Sequence, residues 1–450
     1  MNKNRIQYTA HRIQRKNNLF WFLVFIVAIN YELLTINYLY CQIHKEQFEN
    51  GFVFIHQEKT GVGLASVNLF IKGGAVNEKN EEAGVTSLMT QVLPRGTINR
   101  NSEKIAEESE SLGATISASC ANDYIEVSLM VLSENFDSAF EIFADIVNNP
   151  TFPEEEFEKE KVKTIAGIKS KMDHIFEVAY DKFNELIFKK YPYHIPVSGY
   201  EATVSSLTVV QISDIYRKNF RPENMILSIN GDINYERAKK IVEKYFKNVK
   251  IIGAEEVVSE NISYNKKLQT KPIREIHPSK FQQAYIFIGF LAPDISKQEY
   301  AIFKLINTII GSGMGSRLFN ALREESGLVY ESSSFYPSRK IISGLIMYAG
   351  TSKENIDIVE KKLNEEMNKI SEVSDEELKN AKEYLKGTYL IDHRTMQRQS
   401  WWNGFWEVMD KNYNYDKKYL EEVEQVTVSD IKEVFKKYYS PEKTITLILK

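Results

Sequence analysis

Two stretches of the chain carry the same pattern of apolar and polar positions. They span residues 208–222 and 427–441, and each begins at a Thr and ends at a Pro with identical spacing. Within each stretch, apolar residues recur at helical spacing between the Thr and the Pro, and the Thr occupies the N-cap position. A strand pattern follows each helix, at 225–229 and 444–449. The repeat predicts two domains of the same fold.

The first copy mixes strand and helix patterns. Three segments rich in β-branched and aromatic residues predict strands at 52–55, 64–71 and 125–131. Helical periodicity predicts a helix over 136–147 and another over 102–112, the latter with Ser102 as its N-cap and Gly113 just past its end. Antiparallel strands with helices on one face predict an α+β fold, in which two homologous domains each contain a mainly antiparallel sheet packed with helices.

The repeat also predicts the domain boundaries. An N-terminal domain over 45–252 and a C-terminal domain over 272–450 are joined by a polar linker, 253–271, without periodicity. Residues 1–44 form a distinct leader, in which basic residues precede the apolar run 19–29. This layout is typical of a signal peptide, and the run is short for a membrane span. A retained membrane anchor is the alternative, so we expect an exported protein, periplasmic or membrane-anchored.

Composition narrows the classes of function. The 450 residues are 43% apolar and 26% charged, a globular balance for two or more domains. A net charge of −4 gives no basic field for nucleic acid, which we do not expect as a partner. The two cysteines, Cys41 and Cys120, form no CxxC motif, which excludes a zinc site built on thiolates.

Five motifs in order along the chain resemble the M16 peptidases, the pitrilysin and insulinase-like family. The first joins residues 73–78 and 84–97, and the others lie at 191–199, 221–232, 313–319 and 322–330. Each motif alone is weak, but together they span nearly everything after residue 45. The resemblance implies the M16 or LuxS-like metallohydrolase type of fold.

The metal site of that family is changed here. The family carries His-x-x-Glu-His on one helix, with two zinc ligands and a base, and a Glu ligand on a later helix. The matching positions are Ser87, Thr90, Gln91 and, on the later helix, Ala166 or Gly167. None of these is a usual zinc ligand or a competent base near neutral pH. We therefore expect no metal and no catalytic residue on this chain.

The C-terminal half keeps a pair that the resemblance marks as substrate-binding, Arg323 and Tyr330. Arg323 lies near the end of a helix predicted from about Ser316, and Gly327 stops that helix before a strand that begins near Tyr330. In active family members, such a Tyr donates to the carbonyl under attack and such an Arg binds a neighbouring carbonyl. The alternative is a packing tyrosine, with the arginine paired to a nearby glutamate at 324, 325 or 331.

The resulting hypothesis is a non-catalytic subunit of a heterodimeric M16 zinc endopeptidase. Its expected partner is a homologous subunit that carries His-x-x-Glu-His and the zinc. This chain would close the chamber and offer Arg323 and Tyr330 to an extended peptide, which would add as a strand to the partner's sheet edge. The alternatives are a structural scaffold without a peptidase role, and a zinc metalloendopeptidase that acts alone. Membrane association through the N-terminus is a further expectation.

Two features stay open at this stage. The glycine-rich segment 311–315 lacks the Gly-Lys-Ser/Thr ending of a phosphate loop, so it is weak support for nucleotide binding. Four aromatic residues cluster on one face of a predicted helix: Trp401, Trp402, Phe405 and Trp406. They indicate either core packing or a wall of a partner interface or substrate chamber.

Overall fold

The computed structural model describes residues 43–249 and 271–450. Within these ranges the strands are β1 (Ile43–Gln47), β2 (Val53–Glu58), β3 (Leu64–Lys72), β4 (Thr115–Cys120), β5 (Tyr124–Leu132), β6 (Met225–Gly231), β7 (Ile273–His277), β8 (Gln283–Ala292), β9 (Val329–Phe335), β10 (Ser343–Ser352) and β11 (Ile445–Leu449). The helices of the first half are α1 (Val85–Val92), α2 (Ser102–Ser111), α3 (Phe136–Asn148), α4 (Glu154–Lys171), α5 (Ile175–Ile187), α6 (Glu201–Ser206), α7 (Val209–Asn219) and α8 (Tyr235–Phe246). Those of the second half are α9 (Tyr300–Gly311), α10 (Ile356–Asn368), α11 (Asp375–Asp392), α12 (Met396–Val408), α13 (Tyr415–Gln425) and α14 (Val428–Tyr438).

The predicted leader and linker lie outside these ranges, except for residues 43, 44 and 271. The boundaries placed there, at 44 and 253, therefore stay predictions. None of the helices in the described ranges is long and apolar enough to cross a membrane.

The two halves form separate sheets with the same strand topology. The first sheet has the order β1-β2-β6-β3-β5-β4 and the second has the order β7-β11-β8-β10-β9. In each, the first strand of the repeat pairs in parallel with the last, as β2 with β6 and β7 with β11, and the other pairs are antiparallel. The first sheet adds β1 at one edge. The predicted α+β class with two homologous copies is confirmed.

Helix caps show where local sequence signals succeed and fail. The repeat helices α7 and α14 begin after Thr208 and Thr427, whose side chains accept hydrogen bonds in capping boxes, as predicted. The prediction of Ser102 as an N-cap is wrong. Asn101 caps α2 instead, because its side chain accepts a hydrogen bond from the backbone N–H of Lys104 at 2.9 Å and Ser102 is already helical.

The halves exchange helices across their sheets. Helix α5, from the first half, packs on the second sheet, where Phe183 and Ile187 join a buried cluster with Phe287. Helix α12, from the second half, packs on β3 and β6 of the first sheet. Each half therefore completes the core of the other, so the two copies are stabilised together.

The aromatic cluster of α12 belongs to this shared core. Phe405 and Trp406 are buried, and Trp401 stacks on Phe405 with ring centroids 4.6 Å apart. The indole N–H of Trp401 donates to Glu126 of the first sheet at 3.0 Å. Of the two interpretations of this cluster, the structure shows packing between the halves.

A glycine sets how closely α12 approaches the first sheet. A Cβ atom at Gly404 would lie 2.5 Å from ring carbons of the buried Phe70. Small polar groups make the neighbouring contacts, such as the hydroxyl of Ser400, which donates to the backbone oxygen of Ser228 at 3.0 Å. The close approach therefore depends on the missing side chain at position 404.

A buried histidine predicts acid sensitivity of the first domain. His56 on β2 is fully buried, and its Nε2 lies 2.9 Å from the carbonyl oxygen of Ile233. Burial lowers the pKa of His56 from 6.5 to about 4. Below pH 6.5 His56 is therefore protonated in the unfolded chain but stays neutral in the folded chain. The free energy of unfolding falls as the pH drops from 6.5 towards 4, by about 3 kcal/mol in total.

Thermal unfolding of the native chain and His56→Gln at several pH values from 7 to 5 measures this effect. We expect the native melting temperature to fall more steeply than that of the variant, in which the neutral amide has no proton to gain. Parallel pH profiles of the two proteins would show that His56 does not drive the acid sensitivity.

Candidate functional site

Three of the five residues predicted to stand at the family's metal positions line one cleft. Helix α1 carries Ser87 and Gln91, and helix α4 carries Gly167, and these residues meet around a cleft of about 400 Å³. A Cβ atom at Gly167 would meet no atom within 4 Å, so the cleft has room for a side chain there. Ala166 is absent from the lining and is exposed, so Gly167 is the position that faces the cleft.

Thr90 lies on the buried side of α1. Its hydroxyl donates to the backbone oxygen of Ser87 at 2.8 Å, a bond within its own helix. It lines a separate groove, shared with Gln91, that borders the edge strand β4. Gln91 thus connects the cleft with the sheet edge.

The charges of the cleft are already paired. Glu160 is only 4% exposed and forms ion pairs with Lys163 at 2.8 Å and Arg95 at 3.0 Å. Lys171, on the same lining, pairs with Asp181 at 2.6 Å. Glu160 is the lining's one carboxylate in the described ranges, and sequence reasoning missed it because nothing near it in the chain marks it.

This donor set does not fit zinc. Zinc sites use imidazole, thiolate or carboxylate ligands, whereas the cleft offers hydroxyl and amide groups and one engaged carboxylate. Across residues 43–249 and 271–450, no group of three or more His, Cys, Asp or Glu side chains is placed to hold a metal. The prediction of a chain without its own zinc stays a prediction.

A carboxylate holds the start of the helix that borders the cleft. Glu78 accepts hydrogen bonds from the backbone N–H groups of Gly84 and Thr86, both at 2.8 Å, and so caps α1. Burial raises the pKa of Glu78 despite these bonds. The spacing from Glu78 to these N–H groups is longer than in a capping box, so no local sequence pattern predicts this cap.

The structure brings Arg323 and Tyr330 together at the edge of the second sheet. Arg323 lies in a short π-helical stretch, Phe319–Glu324, where a regular helix was predicted, and Gly327 makes the turn with φ +59°. The guanidinium of Arg323 donates through Nη1 to the backbone oxygen of Tyr330. No ion pair joins Arg323 to Glu324, Glu325 or Glu331 in the described part of the chain.

Tyr330 is the extra residue of a β-bulge. Val329 lies opposite Thr351 of β10 and Glu331 lies opposite Gly350, so Tyr330 has no partner in the register. Bulges at sheet edges redirect side chains and are common beside active sites. The Tyr330 side chain is 58% exposed, and its hydroxyl makes no hydrogen bond within the described residues. An exposed hydroxyl is thereby left free to donate to a ligand.

Family models match both halves of the chain. Residues 53–199 match a model described as Insulinase (Peptidase family M16), and residues 206–385 match one described as Peptidase M16 inactive domain.

Relatives and solved structures extend the comparison to nearly the whole described chain. An uncharacterized zinc protease of Rickettsia felis is 27% identical over 415 residues, 89% of this chain and 96% of its own. The uncharacterized zinc protease YmxG of Bacillus subtilis is 22% identical over 402 residues, 89% of this chain and 96% of its own. Among solved structures, a protease from Helicobacter pylori superposes with a TM-score of 0.85 at 17% identity, covering 91% of this chain and 100% of that one. A peptidase M16 inactive domain from Pseudomonas fluorescens superposes with a TM-score of 0.81 at 20% identity, covering 91% of this chain and 97% of that one.

Proposed function

Because the chain belongs to the peptidase M16 family, we propose that it is the non-catalytic subunit of a zinc endopeptidase built from two homologous chains. One observation carries this proposal. The cleft at Ser87, Gln91 and Gly167 offers no free zinc ligand, because its one carboxylate is paired with Lys163 and Arg95, whereas the second sheet presents an exposed, bulged Tyr330 beside Arg323. Loss of one half of an active site with retention of the other suits a subunit that complements a partner.

The role of this chain follows from the chemistry of its two residues. The hydroxyl of Tyr330 donates a hydrogen bond to the carbonyl under attack, whose oxygen gains negative charge in the transition state. The guanidinium of Arg323 binds a neighbouring carbonyl of the extended peptide and helps to fix its orientation. The partner, a homologue with His-x-x-Glu-His, supplies the zinc, and the peptide adds to its sheet edge while this chain closes the chamber.

The alternatives fit the geometry less well. A scaffold has no need of a bulged, solvent-facing tyrosine, and two relatives of the chain are named as zinc proteases. A peptidase that acts alone needs ligands and a base that the cleft lacks. We also retain, as part of the proposal, export or membrane anchoring through the N-terminal leader.

A mixing assay tests this function. The purified chain is incubated with zinc and a quenched fluorescent peptide, alone and with an M16 homologue from the same organism that carries His-x-x-Glu-His. We expect no cleavage by this chain alone and strong cleavage by the mixture. Cleavage by this chain alone would refute the proposal, and so would a mixture no faster than the homologue by itself.

The geometry of the cleft predicts that a zinc site can be rebuilt. Ser87→His, Gln91→His and Gly167→Glu together place two imidazoles and a carboxylate around one cleft, so we expect the triple variant to bind about one zinc per chain. The native chain should bind none, as measured by plasma emission spectrometry after dialysis.

Two matched variants make this prediction sharp. Gln91→His alone provides one ligand and should bind zinc only weakly. A triple variant with Ala166→Glu in place of Gly167→Glu carries the same side chains, but its carboxylate lies outside the cleft lining, and we expect it to lose most of the affinity. Equal zinc binding by both triple variants would contradict the assignment of Gly167.

A further inference from the structure

Strand β5 directs a carboxylate at the helix that the second half packs on the first sheet. Glu126 is partly buried where β5 meets α12. It accepts hydrogen bonds from the indole N–H of Trp401 at 3.0 Å and from the side-chain amide of Asn68 at 2.8 Å. Both donors are neutral, and no Lys, Arg or His lies within ion-pair distance of Glu126 in residues 43–249 and 271–450. The contact between the two halves therefore contains a carboxylate without a paired cation.

The surroundings of Glu126 disfavour its charge. Burial raises the pKa of Glu126 and outweighs its two hydrogen bonds and the more distant Arg398, which lower that pKa. Arg398 of α12 lies beyond ion-pair distance, and its guanidinium donates to both oxygens of Asp392, at 3.0 and 2.8 Å. The neighbouring strands β3 and β4 face Glu126 with Asn68 and Ser119, which carry no charge. The folded chain thus favours the neutral form of Glu126.

The first two turns of α12, residues 396–403, contact the first sheet through polar groups. The amide of Asn403 donates to the side-chain oxygen of Gln57 at 3.3 Å. On the same face of β3, the hydroxyl of Ser66 and the amide oxygen of Asn68 are buried without a hydrogen-bond partner in the described chain. Such groups exchange protein partners for water at a small net cost, and unsatisfied ones gain from hydration.

The C-terminal end of the same helix is anchored differently. Phe405 and Trp406 are buried in the large apolar cluster of the second half. Their withdrawal would expose a large apolar area to water, which is strongly unfavourable. One helix therefore combines a fixed apolar end with a polar end at Glu126, so its first two turns can leave the sheet while the rest of α12 stays in place.

We propose that residues 396–403 form a pH-sensitive clamp between the two halves, closed on the first sheet when Glu126 is neutral and released when Glu126 is ionised. Release lets water reach the carboxylate, which removes the cost of burying its charge. By linkage, the closed form binds the proton more tightly than the released form does. The clamp is therefore tightest in mild acid and weakens as the pH rises. This inference concerns the two halves of this chain and does not depend on the proposed function.

Hydrogen–deuterium exchange of the native chain at pH 5 and pH 7 tests the clamp. Two helical turns without a packing partner do not stay folded in water, so release exposes their backbone N–H groups to exchange. The readout is the protection factor of residues 399–403, in which the measured rate is divided into the intrinsic rate at the same pH. We expect protection to be about fivefold lower at pH 7 than at pH 5, the lower end of the usual coupling between two sites.

A neutral isostere assigns this pH dependence to the carboxylate. Glu126→Gln has no proton to lose, so we expect equal protection of residues 399–403 at the two pH values. Rotation of the Asn68 amide lets its oxygen accept a hydrogen bond from the new amide, which preserves the contact. Glu107→Gln is the matched control, because it neutralises an exposed carboxylate on α2 and should keep the native pH dependence.

Trp401→Phe tests the same clamp from the helix side. It removes a hydrogen bond that favours the charged form of Glu126, so the ratio of protection at pH 5 to that at pH 7 should exceed the native ratio. A loss of packing alone would lower protection at both pH values and leave this ratio unchanged.

Three results would overturn the inference. The first is equal protection of residues 399–403 at pH 5 and pH 7 in the native chain. The second is a native pH dependence that persists in Glu126→Gln. If circular dichroism shows that Glu126→Gln does not fold, Trp401→Phe decides, and a ratio no greater than the native one contradicts the clamp. None of these results bears on the mixing assay, so the proposed function would stand.

Discussion

Replacement of Tyr330 by Phe is expected to lower the turnover rate of the mixed two-subunit enzyme by about 100-fold or more, the loss found when one oxyanion donor is removed. The substitution deletes only the hydroxyl, which is exposed and makes no hydrogen bond within the described chain. Because that hydroxyl would act mainly in the transition state, kcat should fall while KM changes little. Steady-state kinetics of the mixture with a quenched fluorescent peptide measure both constants.

The control for this prediction is Tyr384→Phe. Tyr384 is also an exposed tyrosine of the second half, 44% accessible, and it lies on helix α11 rather than on strand β9. Its loss of a hydroxyl should leave kcat unchanged. Equal turnover by the Tyr330→Phe and native mixtures would favour the scaffold alternative, in which the chain only supports its partner.

Gly404→Ala is expected to destabilise the fold by about 3 kcal/mol, at the upper end of the usual cost of overpacking. The new Cβ atom would lie 2.5 Å from the Phe70 ring, and Phe70 is fully buried and cannot move aside. Helix α12 would have to retreat from the first sheet, and its contacts to β3 and β6 would be lost together. Chemical denaturation followed by circular dichroism measures the free energy of unfolding.

Gly387→Ala is the control, and its expected effect on the free energy of unfolding has the opposite sign. Gly387 also lies inside a helix, α11, but a Cβ atom there would meet no atom within 4 Å. Alanine should therefore stabilise the protein by about 0.5–1 kcal/mol through helix propensity alone. If both substitutions stabilise the chain, helix propensity outweighs the contact with Phe70 and the proposed packing constraint is wrong.

Local patterns predicted the elements with strong capping or periodic signals. The paired helices after Thr208 and Thr427 follow from capping and from apolar spacing within one helix, interactions that span only a few residues. The aromatic stripe of α12 indicated either core packing or a partner-interface or chamber wall. It could not predict which sheet covers these residues, because the partner, Phe70, lies more than three hundred positions earlier in the chain.

For the candidate site, too, the residue types could be read from the sequence, but their arrangement in space could not. The chemical identity of Ser87, Gln91 and Gly167 can be read from the sequence, and none of these side chains is a usual zinc ligand in any fold. Their convergence on one cleft, with Gly167 rather than Ala166 at its wall, depends on how α1 packs against α4.

The pair Arg323 and Tyr330 was visible in the sequence as types and spacing, and so was the family that gives them meaning. The tertiary structure alone decided that Tyr330 is the extra residue of a β-bulge, with an exposed side chain. The physical reason is the separation along the chain of the residues that interact. Helices and turns depend on residues that are close in sequence. Strand register and the meeting of distant side chains depend on segments far apart in sequence, and no local pattern indicates which segments pair.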